Sequence, residues 1–193
     1  MASKGDLIGK IVRLQVQRVP IKARGEGYMP GGILAVDRAS IDAWGMVGWH
    51  DGAWILDSHH KAHPSGRAGG KRPLSVGFTG HYVAMDERFG GVPLGLAGEN
   101  IIIESPELWL DDLGVGLIVE ATTGDLLLER PRVAAPCREF TSYLLNLDEV
   151  AERSDIKDEL DFLGAGRRGY IVAADHAPEP VGLAVGDEVF LVI

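Results

Sequence analysis

Cys137 is the only cysteine among 193 residues. It stands in the run Glu129-Arg-Pro-Arg-Val-Ala-Ala-Pro-Cys-Arg-Glu-Phe140, with Arg130, Arg132 and Arg138 close in sequence. A thiolate is the nucleophilic and metal-ligating form of cysteine, and nearby cations favour it. The run therefore offers a nucleophile, a sulfur acceptor or a soft metal ligand. The competing reading is a small buried apolar residue with no chemistry. One thiol excludes an intrachain disulfide and suits a reducing cytoplasm.

A second stretch with chemical content is Asp57 to Arg72. It holds three of the six histidines, together with Lys61, Arg67, Lys71 and Arg72. Its Gly and Pro content predicts a loop. His59 and His63 are four apart, the spacing of a zinc-ligand pair on a helix, but Pro64 and the glycines oppose a helix there. A positive cluster in a chain of net charge −9 is locally unusual. It suits an anion-binding rim, with His60, Lys71 and Arg72 near the Cys137 sulfur. A solvated loop is the plainer alternative.

Gly164-Ala-Gly-Arg-Arg-Gly169 matches the dinucleotide fingerprint in its letters. That fingerprint needs a strand before it and a helix after it. Here a helical pattern precedes and a strand pattern, Tyr170 to Ala174, follows. Arg167 and Arg168 remain available to line a pocket.

The elements that must position these residues are mostly strands. Ile11 to Val19 alternates, with Val12, Leu14 and Val16 on one face and Arg13, Gln15 and Gln17 on the other, a half-buried strand. Ile33 to Val36 and Leu74 to Phe78 are short strands. Ala43 to Leu56 reads as two strands turning near Asp51-Gly52, a hairpin signal. Trp44, Trp49 and Trp54 in it are expected in the core or barrel wall. Thr79 is expected to cap a helix over Gly80 to Phe89, with Tyr82, Met85 and Phe89 on one side, ended by Gly90-Gly91. His81 in that helix reads as structural. Residues 99–104, 115–121 and 125–132 are expected to pair in sheet, with a turn at Thr122-Thr123-Gly124. Phe140 to Arg153 is weakly helical, Asp155 to Leu163 is a short helix, and Leu183 to Ile193 turns at Gly186-Asp187 into a last strand.

Composition agrees. The 46% hydrophobic and 24% charged residues are ordinary for a globular chain, and 26 glycines imply many turns. The fold class expected is mainly β, a closed or nearly closed barrel with two or three short helices, as one domain over residues 1–193. The negative charge opposes general binding to nucleic acid or an anionic membrane. No apolar run approaches the length of a membrane span, and no secretory leader is visible. A cytoplasmic location is expected.

The order of motifs carries one more signal. Gly98-Glu99-Asn100-Ile101 follows Phe89 and a Gly/Pro-rich turn. An apolar hairpin, Pro136-Cys137, Arg168-Gly169-Tyr170 and Val185-Gly186-Asp187-Glu188-Val189 come after it. This order resembles the MOSC domain, named after the C-terminal domain of molybdenum-cofactor sulfurase, best from about Phe89 to Ile193. The resemblance implies a barrel in which Cys137 is the functional residue. It implies either a thiolate ligand to molybdenum of the pterin cofactor, in enzymes reducing N-hydroxylated substrates, or a persulfide carrier for cofactor or cluster assembly. Glu99, Asn100, Arg132 and Arg138 would then wall the cofactor site. Asp57 and His60 would correspond to the family's Gly-Asp-x-His element, although Leu56 replaces its glycine. The family arginine three before the cysteine is Ala134 here. A reductase of this kind needs an external electron donor, since one cysteine cannot hold an iron–sulfur cluster. A sulfur carrier needs a sulfur-donor protein. The alternative is a non-catalytic barrel module that delivers or senses the cofactor.

Overall fold

The computed structural model describes residues 2–23, 27–65, 74–174 and 179–193. In chain order the strands are β1 (Lys4–Gln17), β2 (Lys22–Ala23), β3 (Gly27–Tyr28), β4 (Ile33–Val36), β5 (Arg38–Asp42), β6 (Gly45–His50), β7 (Ala53–Leu56) and β8 (Leu74–Phe78). They continue as β9 (Ile101–Ile103), β10 (Gly116–Ala121), β11 (Gly124–Val133), β12 (Tyr170–Ala173), β13 (Val181–Ala184) and β14 (Glu188–Val192). The helices are α1 (Thr79–Phe89), α2 (Arg138–Leu144) and α3 (Lys157–Gly164).

Seven strands close a barrel in the order β14-β10-β11-β12-β8-β9-β1, because β1 pairs back onto β14. The β8–β9 pair is parallel, as an intervening helix allows. The other neighbours are antiparallel. β4 adds to the outer end of β1, and β13, β5, β6 and β7 form a second sheet. Among the described residues the fold is thus mainly β, a closed barrel with three short α-helices, as expected.

Strand alternation sorts the core. Ile101 and Ile103 enter the barrel interior with Leu14, Val76, Leu117, Leu128, Tyr170 and Val189. Ile102, between them, faces outward into a second cluster with Ile21, Tyr28, Tyr82, Met85, Phe140 and Leu163, under the helices. Cys137 packs against this outer cluster, not inside the barrel.

The 11–17 alternation is real, but its polar face is not wet. Gln15 and Gln17 are buried. Their side-chain amides donate to the carbonyls of Gly95 and Gly98, each at 2.8 Å. The loop before Glu99 thus hangs on β1. Trp44 and Trp54 depart from expectation, being 52% and 53% exposed. They lie in or beside the second sheet, where Lys61 covers the Trp44 ring, and Trp54 packs edge-on against Trp49, itself covered by Arg38. Cations and a neighbouring ring cover these faces in place of a core. Thr79 does not cap α1. Its hydroxyl donates to the Ser105 carbonyl, and Phe78 is the cap residue. Helix in the 140–153 stretch ends at Leu144; Arg138 instead binds the carbonyls of Ala151 and Val150 and holds the following segment as a loop.

Candidate functional site

Two openings lie on either side of the segment 134–137, which leaves β11 and enters α2. The first is a cavity of about 350 Å³. Its polar lining includes Gln17, Lys22, Ser58, His59, Glu99 and Arg168, and Ile21, Leu74, Ala97, Ala134, Ala135 and Ile171 supply apolar wall. The second is a wider cleft of about 950 Å³ lined by Tyr28, Pro136, Cys137, Arg138, Glu139, Tyr143 and Arg153 among others.

Glu99 is the most unusual group of the first cavity. It is 2% exposed. The Tyr82 hydroxyl donates to its Oε2 at 2.5 Å, while Oε1 has no hydrogen-bond partner on another residue among the described residues. Two glycines make room for the carboxyl: a Cβ on Gly77 would meet Oε1 at 2.7 Å, and one on Gly169 would meet the Glu99 Cγ at 2.8 Å. Burial pushes the Glu99 pKa up to about 7; the Tyr82 hydrogen bond, its own backbone N–H and the Arg168 and Arg13 charges hold it from going higher. Such a group exchanges protons at neutral pH. Tyr82, desolvated and next to that carboxyl, is pushed well above the usual phenol range and stays a donor.

Arg168 reaches the same cavity. Its guanidinium donates to the Ala135 carbonyl at 3.0 Å and lies 5.2 Å from the Phe140 ring centre. Since the Ala134 N–H also bonds the Gly169 carbonyl, the Arg168-Gly169 pair fixes the path of the chain toward Cys137. Arg167 points elsewhere, onto Phe162, Trp109 and Glu107.

Asn100 lines the cavity but spends its amide on the frame. Its oxygen accepts from the Ser75 N–H and hydroxyl, both at 3.1 Å, and its nitrogen donates to the Gln15 carbonyl and to Asp57. Asp57 is fully buried. Its Oδ2 accepts from the Gln17 N–H and Asn100, and its Oδ1 from the His59 N–H and from His59 Nδ1 at 3.0 Å. His59, not His60, therefore faces the cavity. His60 is buried beside Asp42, with Nε2 3.4 Å from Asp42 Oδ1 but poorly aligned for a hydrogen bond.

Cys137 is half-buried at the head of α2 and lines the second cleft, whereas Glu99 and Asn100 line the first. Its immediate neighbour there is the Glu139 carboxyl. Burial raises the Glu139 pKa, but its own N–H, the Cys137 thiol, Lys22 and Arg138 outweigh this and leave it low. Arg138 is turned toward Ala151 and Glu152 rather than the sulfur. Arg132 is exposed on β11 and lines neither opening. The expected rim of Lys71 and Arg72 lies outside the described residues. Sequence reasoning weighed His59 only as a zinc partner of His63, gave the motif role to His60, and gave Arg168 no fixed role. The short Asp-x-His spacing was the available signal for the first. No group of three or more His, Cys, Asp or Glu among the described residues could hold a metal ion. No helix among them is long and apolar enough to cross a membrane.

No family model and no curated protein matches the chain. Solved structures do. The chain is similar to the YUAD protein from Bacillus subtilis, at 17% identity over 98% of this chain and 97% of that one, with a TM-score of 0.52. A solved hypothetical protein aligns at 14% identity over 95% and 69% of the two chains, with a TM-score of 0.55. YiiM from Geobacillus stearothermophilus aligns more loosely, at 18% identity over 95% and 75%, with a TM-score of 0.48. Likeness at these identities lies in the fold alone.

Proposed function

We propose that this chain is a MOSC-type barrel that binds a small hydrogen-bonding ring ligand in the cavity around Glu99 and Arg168, the pterin of molybdenum cofactor being the first candidate. One observation carries the reading. Glu99 Oε1 is buried at the wall of a cavity and has no hydrogen-bond partner on another residue among the described residues. Leaving such an oxygen unsatisfied is costly, so its natural partner is a donor on a ligand. The N–H edge of a pterin is such a donor. Arg168 and Lys22 line the same cavity and suit a phosphate. Cys137, the chain's one thiol, is the thiolate that would hold molybdenum, from the neighbouring cleft across the segment 134–137. When bound, molybdenum would supply two-electron redox chemistry, with electrons from a separate protein. The chain's own part is to orient the ring, hold a proton at Glu99 and shield the site with Ile21, Leu74 and Ile171.

A second reading is favoured by the thiol's position in the other cleft. There Cys137 carries sulfur as a persulfide, independent of the ring cavity, and the barrel serves as a delivery module. Expression in a host that makes the cofactor separates the two. The first reading expects molybdenum and pterin near one per chain, pterin reduced in Glu99→Gln and molybdenum lost in Cys137→Ser. The second expects a mass increase of one sulfur on Cys137 and no pterin. A chain carrying neither ring nor sulfur would sink both.

A further inference from the structure

The Asp57–His59 pair has a geometry that the frame alone does not require. Asp57 is fully buried, and its carboxylate receives donors from three directions: the Gln17 N–H at 2.8 Å, the Asn100 amide at 3.0 Å, and His59 through both its N–H and its ring. A carboxylate in such a setting acts as acceptor only, so the His59 nitrogen facing it, Nδ1, bears the proton. The other nitrogen, Nε2, then carries a lone pair. Among the described residues it has no hydrogen-bond partner, and the ring lines the cavity that Glu99 and Arg168 also line. Asp57 is itself held by the Gln17 N–H of β1 and by the Asn100 amide just before β9. Its grip on Nδ1 fixes both tautomer and ring direction, as a buried carboxylate does behind a working imidazole.

We propose that His59, held by Asp57, is the proton acceptor for an acidic N–H of the ring ligand in this cavity. This rests on the ring-binding reading above and deepens it. The ligand class is a planar heterocycle carrying a lactam-type N–H. In the step, the ligand N–H bond breaks and its electron pair stays on the ring. A new N–H bond forms at His59 Nε2, and the imidazolium charge faces Asp57. The anionic ring left behind faces Arg168. No oxidant or further reactant is needed. Glu99 supplies the second acceptor at a separate point of the wall, so the ring is held by two proton-accepting side chains and one cation.

The test uses the full chain and pterin-6-carboxylate, whose fluorescence reports binding. Nitrogen NMR of the histidines reads the His59 tautomer without probe and its protonation with probe. His59→Gln keeps size and polarity and removes the proton-accepting nitrogen; the ring is part exposed, so thermal melting should change little. The expected results are an Nδ1–H tautomer in the free protein, a protonated Nε2 with probe, and binding weakened about tenfold in His59→Gln, the loss of one good hydrogen bond. An Nε2–H tautomer in the free protein overturns the inference. So does wild-type affinity in His59→Gln, which leaves the ring-binding reading standing. Absence of probe binding to the wild-type chain, with the same affinity limit in Glu99→Gln, overturns the ring-binding reading and this inference with it.

Discussion

Two buried titratable residues pull the stability of this barrel in opposite directions as pH changes. Glu99 has a folded pKa of about 7, raised from 4.5 by burial. The folded state therefore binds this proton more tightly than the unfolded chain. The Glu99 contribution is fully present below pH 4.5 and is lost as pH rises to 7. The span corresponds to stability on the order of 3 kcal/mol. His81 is the reverse. Burial lowers its pKa from 6.5 to about 4, with the nearby Arg167 charge adding and the Leu108 carbonyl opposing. Its contribution is lost as pH falls from 6.5 toward 4. Glu99→Gln removes one slope and leaves the other. Relative to wild type, the variant should gain stability above pH 7 and lose that advantage toward pH 4.5, read from urea midpoints at pH 5 and 8. Equal midpoint differences at both pH values would show that Glu99 does not titrate in this window. For Cys137 the neighbouring charge matters most. Glu139→Gln removes the carboxylate facing the thiol, so native-state alkylation at neutral pH should run faster. An unchanged rate would mean the carboxylate does not control the sulfur.

The elements hold the site through residues that do not themselves react. Asn100 ties β8 to β1 and to Asp57 with four hydrogen bonds. Asn100→Ala should cost about 2–4 kcal/mol, since it leaves several buried groups unpaired, and should loosen Asp57 and His59 together. A chemical-denaturation loss under about 1 kcal/mol would contradict that role. Gly169 has a φ of +84°, and a Cβ there would meet the Val76 carbonyl at 2.5 Å as well as Glu99. Gly169→Ala should destabilise the fold by more than about 1 kcal/mol and displace the Glu99 carboxyl. What the sequence revealed follows from these same facts. Hairpins at Asp51-Gly52 and Thr122-Thr123-Gly124 are local turn chemistry, and both were legible. The alternation in β1 was legible too, but not that Gln15 and Gln17 are buried, because their partners Gly95 and Gly98 lie about 80 positions away. Glu99 and Asn100 stood out as a motif. Their division into one reactive and one structural residue depends on Gly77, Ser75 and Asp57, which no local pattern connects. The cysteine and its arginines were adjacent in sequence, yet α2 turns Arg138 toward Ala151 and strand β11 leaves Arg132 at the surface.

The whole molecule depends on one long-range closure. β1 and β14 join the first and last strands of the barrel, pairing Lys4 with Val192 and Lys10 with Glu188. β14 also pairs with β10, from Leu117–Leu191 to Glu120–Glu188, so it is the strand on which both edges meet. Val189 is fully buried from it. A chain ending at Gly186 would lose this strand and leave β1 and β10 as open edges with unpaired N–H and C=O groups. The Ile11 N–H would also lose the Asp187 carbonyl, and the Ala184 N–H would lose the Asp187 carboxylate. Such contacts form between residues about 180 positions apart, so closure is expected late in folding, after the local hairpins. The truncated chain should therefore keep much of its far-ultraviolet strand signal, lose near-ultraviolet signal from its packed aromatics, and self-associate through the open edges. Size-exclusion chromatography with circular dichroism reads all three. A monomer with native near-ultraviolet signal would show that the sheet is stable when open, and that β14 covers the barrel without holding it together.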